Sequence, residues 1–162
     1  MAIEIIDDFL EPLNFSELQD IFLGAQIPWY YNKGVNQPSS QNDSKDYQFT
    51  HKIFEDSMIQ SEIFALIQPI LAKLNVKSLI RIKANLSTKA EEASYQGFHT
   101  DTTFDCTTAI FYLNTNNGHT MVGDQKIESI ENRLVRFNSQ ILHTGSTATD
   151  TQVRVVLNLN YF

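Results

Sequence analysis

At Val76 the hydrophobic pattern of this chain changes period, from the three-and-four spacing of helices to the alternation of half-buried strands. Alternation predicts strands over Leu79–Leu86, Thr107–Leu113, His119–Val122, Leu134–Phe137 and Val153–Tyr161, separated by polar or glycine-containing segments. In the last of these, Val153, Val155, Leu157, Leu159 and Tyr161 share one face, while Arg154, Asn158 and Asn160 share the other. The same division sets Arg81, Lys83 and Asn85 against Ile80, Ile82, Ala84 and Leu86. For Arg81 and Lys83, a solvated face and a pocket role both stay open; for Arg154 a pocket role is favoured. Several short strands after a helical start predict an α+β protein whose sheet part is a sandwich or barrel.

The first half, residues 1–75, reads as mainly helical support for that sheet. Phe15, Leu18, Ile21 and Phe22 continue an amphipathic stripe over about 13–24, which Gly24 could end. A loop is expected over 27–50, rich in Asn, Ser and Gln and holding Pro28, Gly34, Pro38 and the Trp29-Tyr30-Tyr31 cluster. Loops of this length tend to be lids or binding segments, although aromatics pinning a loop to the core are the commoner case. Ile59, Ile63, Leu66, Ile67, Ile70, Leu71 and Leu74 form a second helical stripe over Asp56–Leu74, which Pro69 should kink or divide.

With 162 residues, one domain spanning 1–162 is expected, its β core over 76–162. A net charge of −7 disfavours sequence-independent nucleic-acid binding. Cys106 is the sole cysteine, so no internal disulfide can form, and it reads as a buried strand residue. No basic leader or membrane-length apolar run is present, and a cytoplasmic protein without a membrane partner is expected.

Chemistry concentrates in Phe98-His99-Thr100-Asp101, Ile141-Leu142-His143-Thr144-Gly145 and Arg154. In extended backbone, residues i and i+2 point the same way, so His99 and Asp101 can meet one ion while His143 arrives from another strand. Two imidazoles and one carboxylate on one face of an octahedral ion are the ligand set of non-haem Fe(II) oxygenases. A lone His-x-Asp arises often by chance, and its context gives it weight. His143 stands 42 residues after Asp101, and Arg154 follows 11 residues later at the start of the final strand. A metal-chelating 2-oxo diacid needs such a cation for its far carboxylate, and arginine supplies a planar fork of donors. Asp105 ranks second to Asp101 as a ligand because it lies outside the i, i+2 arrangement, and His51 and His119 read as ordinary hydrogen-bonded or surface residues.

From Leu79 to Phe162 the sequence resembles the prolyl-4-hydroxylase-like branch of the Fe(II)/2-oxoglutarate dioxygenases. The matching segments fall in family order: Tyr95 before the His-x-Asp, the strand Ala109-Ile110-Phe111-Tyr112-Leu113-Asn114, the turn Asn117-Gly118-His119-Thr120, the strand Asn132–Asn138, His143, and Arg154 opening the last strand. Ile6-Asp7-Asp8-Phe9-Leu10 also resembles the usual opening. The resemblance implies a double-stranded β-helix, of the jelly-roll or cupin type, with the N-terminal helices packed outside the barrel. It implies His99, Asp101 and His143 as iron ligands, and Arg154, with the Tyr112 hydroxyl, as holder of 2-oxoglutarate. Tyr95, Asn158 and Asn85 would line the pocket. Fe(II) is the implied cofactor, 2-oxoglutarate and O2 the co-substrates, and ascorbate an optional accessory. His119 departs from the family, standing where a second glycine is common. Asp101 favours hydroxylation over halogenation, since halogenating relatives leave that coordination position to halide.

The implied reaction is hydroxylation of a protein or peptide side chain, prolyl among the candidates, with release of succinate and CO2. A small molecule such as a free amino acid is the alternative substrate, and a cupin-like binding module without turnover is the alternative class. The acidic charge disfavours nucleobase demethylation. Nothing in the sequence bears on oligomeric state.

Overall fold

The computed structural model describes residues 2–33 and 47–162. In chain order the elements are β1 (Glu4–Ile6), α1 (Pro12–Leu23), β2 (Tyr30–Lys33), β3 (Tyr47–Glu55), β4 (Met58–Ile59), a 3₁₀ turn (Glu62–Ile67), α2 (Gln68–Leu74), β5 (Leu79–Thr88), β6 (Thr107–Tyr112), β7 (His119–Val122), β8 (Gln125–Glu128), β9 (Leu134–Asn138), β10 (His143–Gly145) and β11 (Val153–Tyr161). The larger sheet runs β1-β9-β6-β11-β5-β3-β2, with β4 hairpinned onto β3, and the smaller runs β10-β7-β8. Every pairing among these strands is antiparallel.

β11 sits in the middle of the larger sheet, between β5 and β6. Its alternation separates two environments. Val155, Leu157 and Leu159 join Phe9, Phe15, Leu18 and Phe22 from the N-terminal segment and Ile67, Ile70 and Leu74 from the second helical segment in one buried cluster. On its other face, Val156 joins a second cluster with Ile110, Tyr112, Val122, Ile127, Val135 and Phe137, which fills the space between the two sheets. Arg154, Asn158 and Asn160 share that inner face and are all buried. The polar side of β11 therefore faces protein.

Three expectations for the first half are corrected. The single helix over 56–74 is instead a hairpin, a 3₁₀ turn and the short α2. Asp56 and Ser57 turn the chain with φ of 52° and 59°, and Pro69 divides the helical stretch as expected, lying in the first turn of α2 where its missing N–H and fixed φ start a new helix after the 3₁₀ turn. The loop expected over 27–50 carries β2 and β3 at its two ends, while its residues 34–46 lie outside the described residues. The described part of residues 1–75 is thus not mainly helical, since β3 pairs with β5 and extends the larger sheet. α1 follows expectation: Pro12 opens it, and Gly24 ends it with its N–H on Asp20 O. A Cβ at Gly24 would come within 2.5 Å of that carbonyl. Among the described residues no helix is long and apolar enough to cross a membrane.

Candidate metal and anion site

Between the sheets, the segment leading to Asp101 runs antiparallel to β10. Gln96 N–H donates to Gly145 O, and His99 and His143 exchange backbone bonds of 3.0 and 2.9 Å. This rung places two imidazoles from distant parts of the chain with ring centroids 4.4 Å apart. Asp101, whose N–H donates to Ser139 O, turns its carboxylate to within 3.9 Å of His99 Nε2 and 3.6 Å of His143 Nε2. One donor atom from each of the three residues lies within 4.8 Å of the other two.

The Asp101 carboxylate is firmly held. Arg81 Nη2 donates to Oδ1 at 2.9 Å, while Thr108 Oγ1 at 2.9 Å, Asn160 Nδ2 at 3.0 Å and Asn158 Nδ2 at 3.3 Å donate to Oδ2. Burial pushes this carboxyl's pKa up, but His143, Arg81 and the bonds from Asn160 and Thr108 outweigh it and hold the group at about 2. Burial, with His143 alongside, pushes the His99 pKa down and keeps its imidazole neutral, the form that ligates metals. His143 Nδ1 bonds Ile141 O at 3.0 Å, which fixes the ring, whereas its Nε2 is buried without a hydrogen-bond partner among the described residues. A buried nitrogen left this way is costly unless something else binds it. An ionised carboxylate, two imidazoles and this orphaned nitrogen fit a divalent transition metal.

Arg154 lies deeper in the same cleft and is fully desolvated, which pushes its pKa down. Its Nε donates to Ser129 Oγ at 2.8 Å and its Nη2 to Thr120 Oγ1 at 3.0 Å, and no carboxylate among the described residues pairs with it. A Cβ at Gly118 would stand 2.7 Å from Arg154 Cδ, so this position needs glycine for the arginine stem to pass. Tyr112 lies beneath the guanidinium, 5.7 Å from ring centroid to Cζ, and donates its hydroxyl to Thr120. A buried cation without an acid is strongly disfavoured by itself and calls for an anion.

Of the remaining expected residues, Asn158 and Asn85 line the cleft, with Asn85 Oδ1 buried and unbonded among the described residues. Tyr95 is exposed at 53%, bonded through its hydroxyl to His119 Nε2 at 2.9 Å, and does not line the cleft. His119 also meets Ser146 Oγ, and His51 is satisfied by Pro28 O and Ser61 Oγ. Asp105 accepts from Asn138 and is not part of the cluster. Cys106 lies just before β6 and is only partly buried. Sequence reading missed Thr108, Ser129 and Thr120 as partners of the charged groups; Arg81 and Asn160 were visible only as members of polar strand faces.

No family model matches the chain, and no curated relative matches it by sequence. Solved structures do match by shape. A Trichoplax adhaerens prolyl hydroxylase in complex with a hypoxia inducible factor oxygen degradation domain peptide superposes with a TM-score of 0.68 at 16% identity, over 99% of this chain and 83% of that one. A Burkholderia pseudomallei oxidoreductase of the 2OG-Fe(II) oxygenase family matches with a TM-score of 0.66 at 11% identity, over 98% and 84%. The fold is that of the Fe(II)/2-oxoglutarate oxygenases. A non-heme alpha-ketoglutarate dependent epimerase from nogalamycin biosynthesis also shares this oxygenase jelly roll, with a TM-score of 0.63 at 14% identity, over 99% and 77%. The oxygenase fold therefore hosts more than one reaction outcome, and function has to be argued from the site.

Proposed function

We propose that this chain is an Fe(II)- and 2-oxoglutarate-dependent oxygenase that hydroxylates a side chain of a protein or peptide, releasing succinate and CO2. One observation carries the reading: His99 and His143 of the compact His99, Asp101 and His143 donor set share a cleft with Arg154, a buried cation lacking an acid among the described residues. His99, Asp101 and His143 would hold the iron, and Arg154, backed by Thr120 and Tyr112, the far carboxylate of 2-oxoglutarate. With its co-substrate bound, iron supplies the oxidation of a C–H bond coupled to decarboxylation. The protein's own part is geometric and electrostatic. Arg81, Thr108 and Asn160 keep Asp101 ionised and aimed, the Ile141 carbonyl sets the tautomer of His143, and the second apolar cluster keeps water from the Arg154 end.

A peptide substrate is supported by the exposed aromatic and aliphatic residues next to the ligands in sequence, Tyr95, Phe98, Phe104 and Leu142, and by the peptide bound to the Trichoplax neighbour. A small-molecule substrate is the second reading, favoured by the polar side chains of Lys83, Asn85, Ser87 and Asn158 that line the cleft.

Anaerobic addition of Fe(II) and 2-oxoglutarate tests the proposal. A visible charge-transfer band should form with the wild type and vanish in His99→Ala and His143→Ala, and admission of O2 should yield succinate. Absence of the band in wild type, or its persistence in both variants, rules the oxygenase reading out.

A further inference from the structure

The site holds more positive charge than its proposed contents require. Besides Arg154, its rim carries Lys83, which lines the cleft with Gln48, Asn85, His99 and Asn158. Lys83 points inward because it shares the β5 face with Asn85 and Ser87, and the register opposes it to Asn158 of β11 while Ser87 opposes Arg154. Four residues of strand, roughly 13 Å along the sheet, therefore separate the levels of Lys83 and Arg154. The two cations mark opposite ends of one cleft, with the ligand set beside the Lys83 end.

Arg81 is already paired with Asp101, and Asp101 and Glu55 act on Lys83 only as nearby charges, without an ion pair within 4 Å among the described residues. Burial, reinforced by Arg81, pushes the Lys83 ammonium down to about 8, a cost that an anion in the cleft would relieve. Among the described residues Arg81, Lys83 and Arg154 thus outnumber Asp101 before any metal is counted, and Glu55 and Lys52, which also act on Lys83, carry opposite charges. A divalent ion and a doubly charged 2-oxo diacid cancel each other and leave that surplus in place. In a chain of net charge −7 such a local excess is a built feature. Buried acceptors accompany it: Asn85 Oδ1 and Asn158 Oδ1 have no hydrogen-bond donor among the described residues, although both side chains line the same cleft.

We infer that Lys83 anchors a carboxylate of the primary substrate, so that the molecule oxidised here is an organic acid held by its carboxylate beside His99, with Asn85 and Asn158 accepting from its neighbouring donors. This rests on the oxygenase reading above and adds the substrate's chemical class. The carboxylate can belong to a free small acid, such as an amino or hydroxy acid, or to an Asp or Glu side chain of a peptide.

The test uses two panels on the Fe(II)-loaded protein with 2-oxoglutarate, read by stimulated succinate release. One panel holds free amino and hydroxy acids, each beside its primary amide; the other holds short peptides with Asp or Glu, each beside its Asn or Gln counterpart. The panel that stimulates identifies the source. Stimulating compounds should lose roughly 30-fold in kcat/KM as amides, and Lys83→Met should raise KM by a similar factor, with most of the loss restored in Lys83→Arg. The dissociation constant of 2-oxoglutarate, read anaerobically from the chelate band, should change less than about twofold in Lys83→Met, because Arg154 holds that molecule. Equal activity of amides, a rise in the 2-oxoglutarate constant with unchanged substrate KM, or no stimulation by either panel overturns the assignment. Should wild type show no chelate band, the oxygenase reading fails by itself. Binding of the same acids to metal-free protein, followed by ligand-observed NMR in wild type and Lys83→Met, then decides the anchor: binding lost in the variant supports it, and no binding overturns it.

Discussion

Arg81 on β5 donates its Nη2 to Oδ1 of Asp101 at 2.9 Å, so the carboxylate of the proposed ligand set is clamped from a strand that carries no ligand itself. Outer partners of this kind typically tune metal affinity by 10- to 100-fold. Arg81→Met is expected to weaken Co(II) binding, titrated by absorbance under anaerobic conditions, by about that factor, with partial recovery in Arg81→Lys. Unchanged affinity in Arg81→Met would show that Thr108, Asn158 and Asn160 suffice to aim the carboxylate.

Arg154 gives the opposite signature for function and stability. Arg154→Met removes a buried cation that has no acid partner among the described residues, so urea unfolding of the metal-free protein should show a stability unchanged or raised by about 1 kcal/mol. The same variant should weaken 2-oxoglutarate binding by roughly 100-fold, the loss expected for a bidentate charged contact. A substantial drop in stability would instead mark Arg154 as a structural residue.

Phe111 is fully buried where the N-terminal segment meets the larger sheet, packed edge-on against Phe9 and Phe15 with centroids 6.0 Å away in each case. Phe111→Ala should cost about 3 to 5 kcal/mol by urea unfolding, since truncating it opens a cavity under α1. A cost below about 1.5 kcal/mol would mean that α1 collapses into the space.

Asp7 accepts two bonds from the Arg133 guanidinium, one of them at 2.9 Å, and this hydrogen bonding holds its pKa below the ordinary 3.8. A depressed acid stabilises the fold above its unfolded pKa and loses that contribution as pH falls through the folded one. The Asp7 side chain is 55% exposed, so solvent screens the pair and Asp7→Asn should cost less than about 1 kcal/mol at pH 7. The gap to wild type should close as pH is lowered beneath 3.8. A difference that persists at pH 2 would assign the effect to packing.

How much of this was legible in the sequence follows from the physics of each element. Strands with one polar and one apolar face announced themselves, and the ends of β7 and β11 coincide with expectation. β10 did not: its three residues His143–Gly145 are mostly buried on both faces and show no alternation. β3 was hidden because Gln48 and His51 are buried polar residues adjoining a polar, Asn- and Ser-rich stretch. Asp56–Leu74 read as one helix because Ile59 and Ile63 fall in phase with the true α2 stripe, whereas left-handed Asp56 and Ser57 turn the chain ahead of it. For the candidate site, the i, i+2 spacing of His99 and Asp101 and the remote His143 and Arg154 could be read directly. The partners of Asp101 could not, since Arg81 and Asn160 come together only through the β5–β11 register.

The rung between His99 and His143 has a consequence for how this centre can come apart. Because peptide groups, and not side chains, set the spacing of the two rings, neither strand by itself can offer a weakened version of the pair. A chain severed after Asp101 would keep two of the three donors on one piece and regain the third only on reassembly, so the gain in metal affinity would report strand complementation directly.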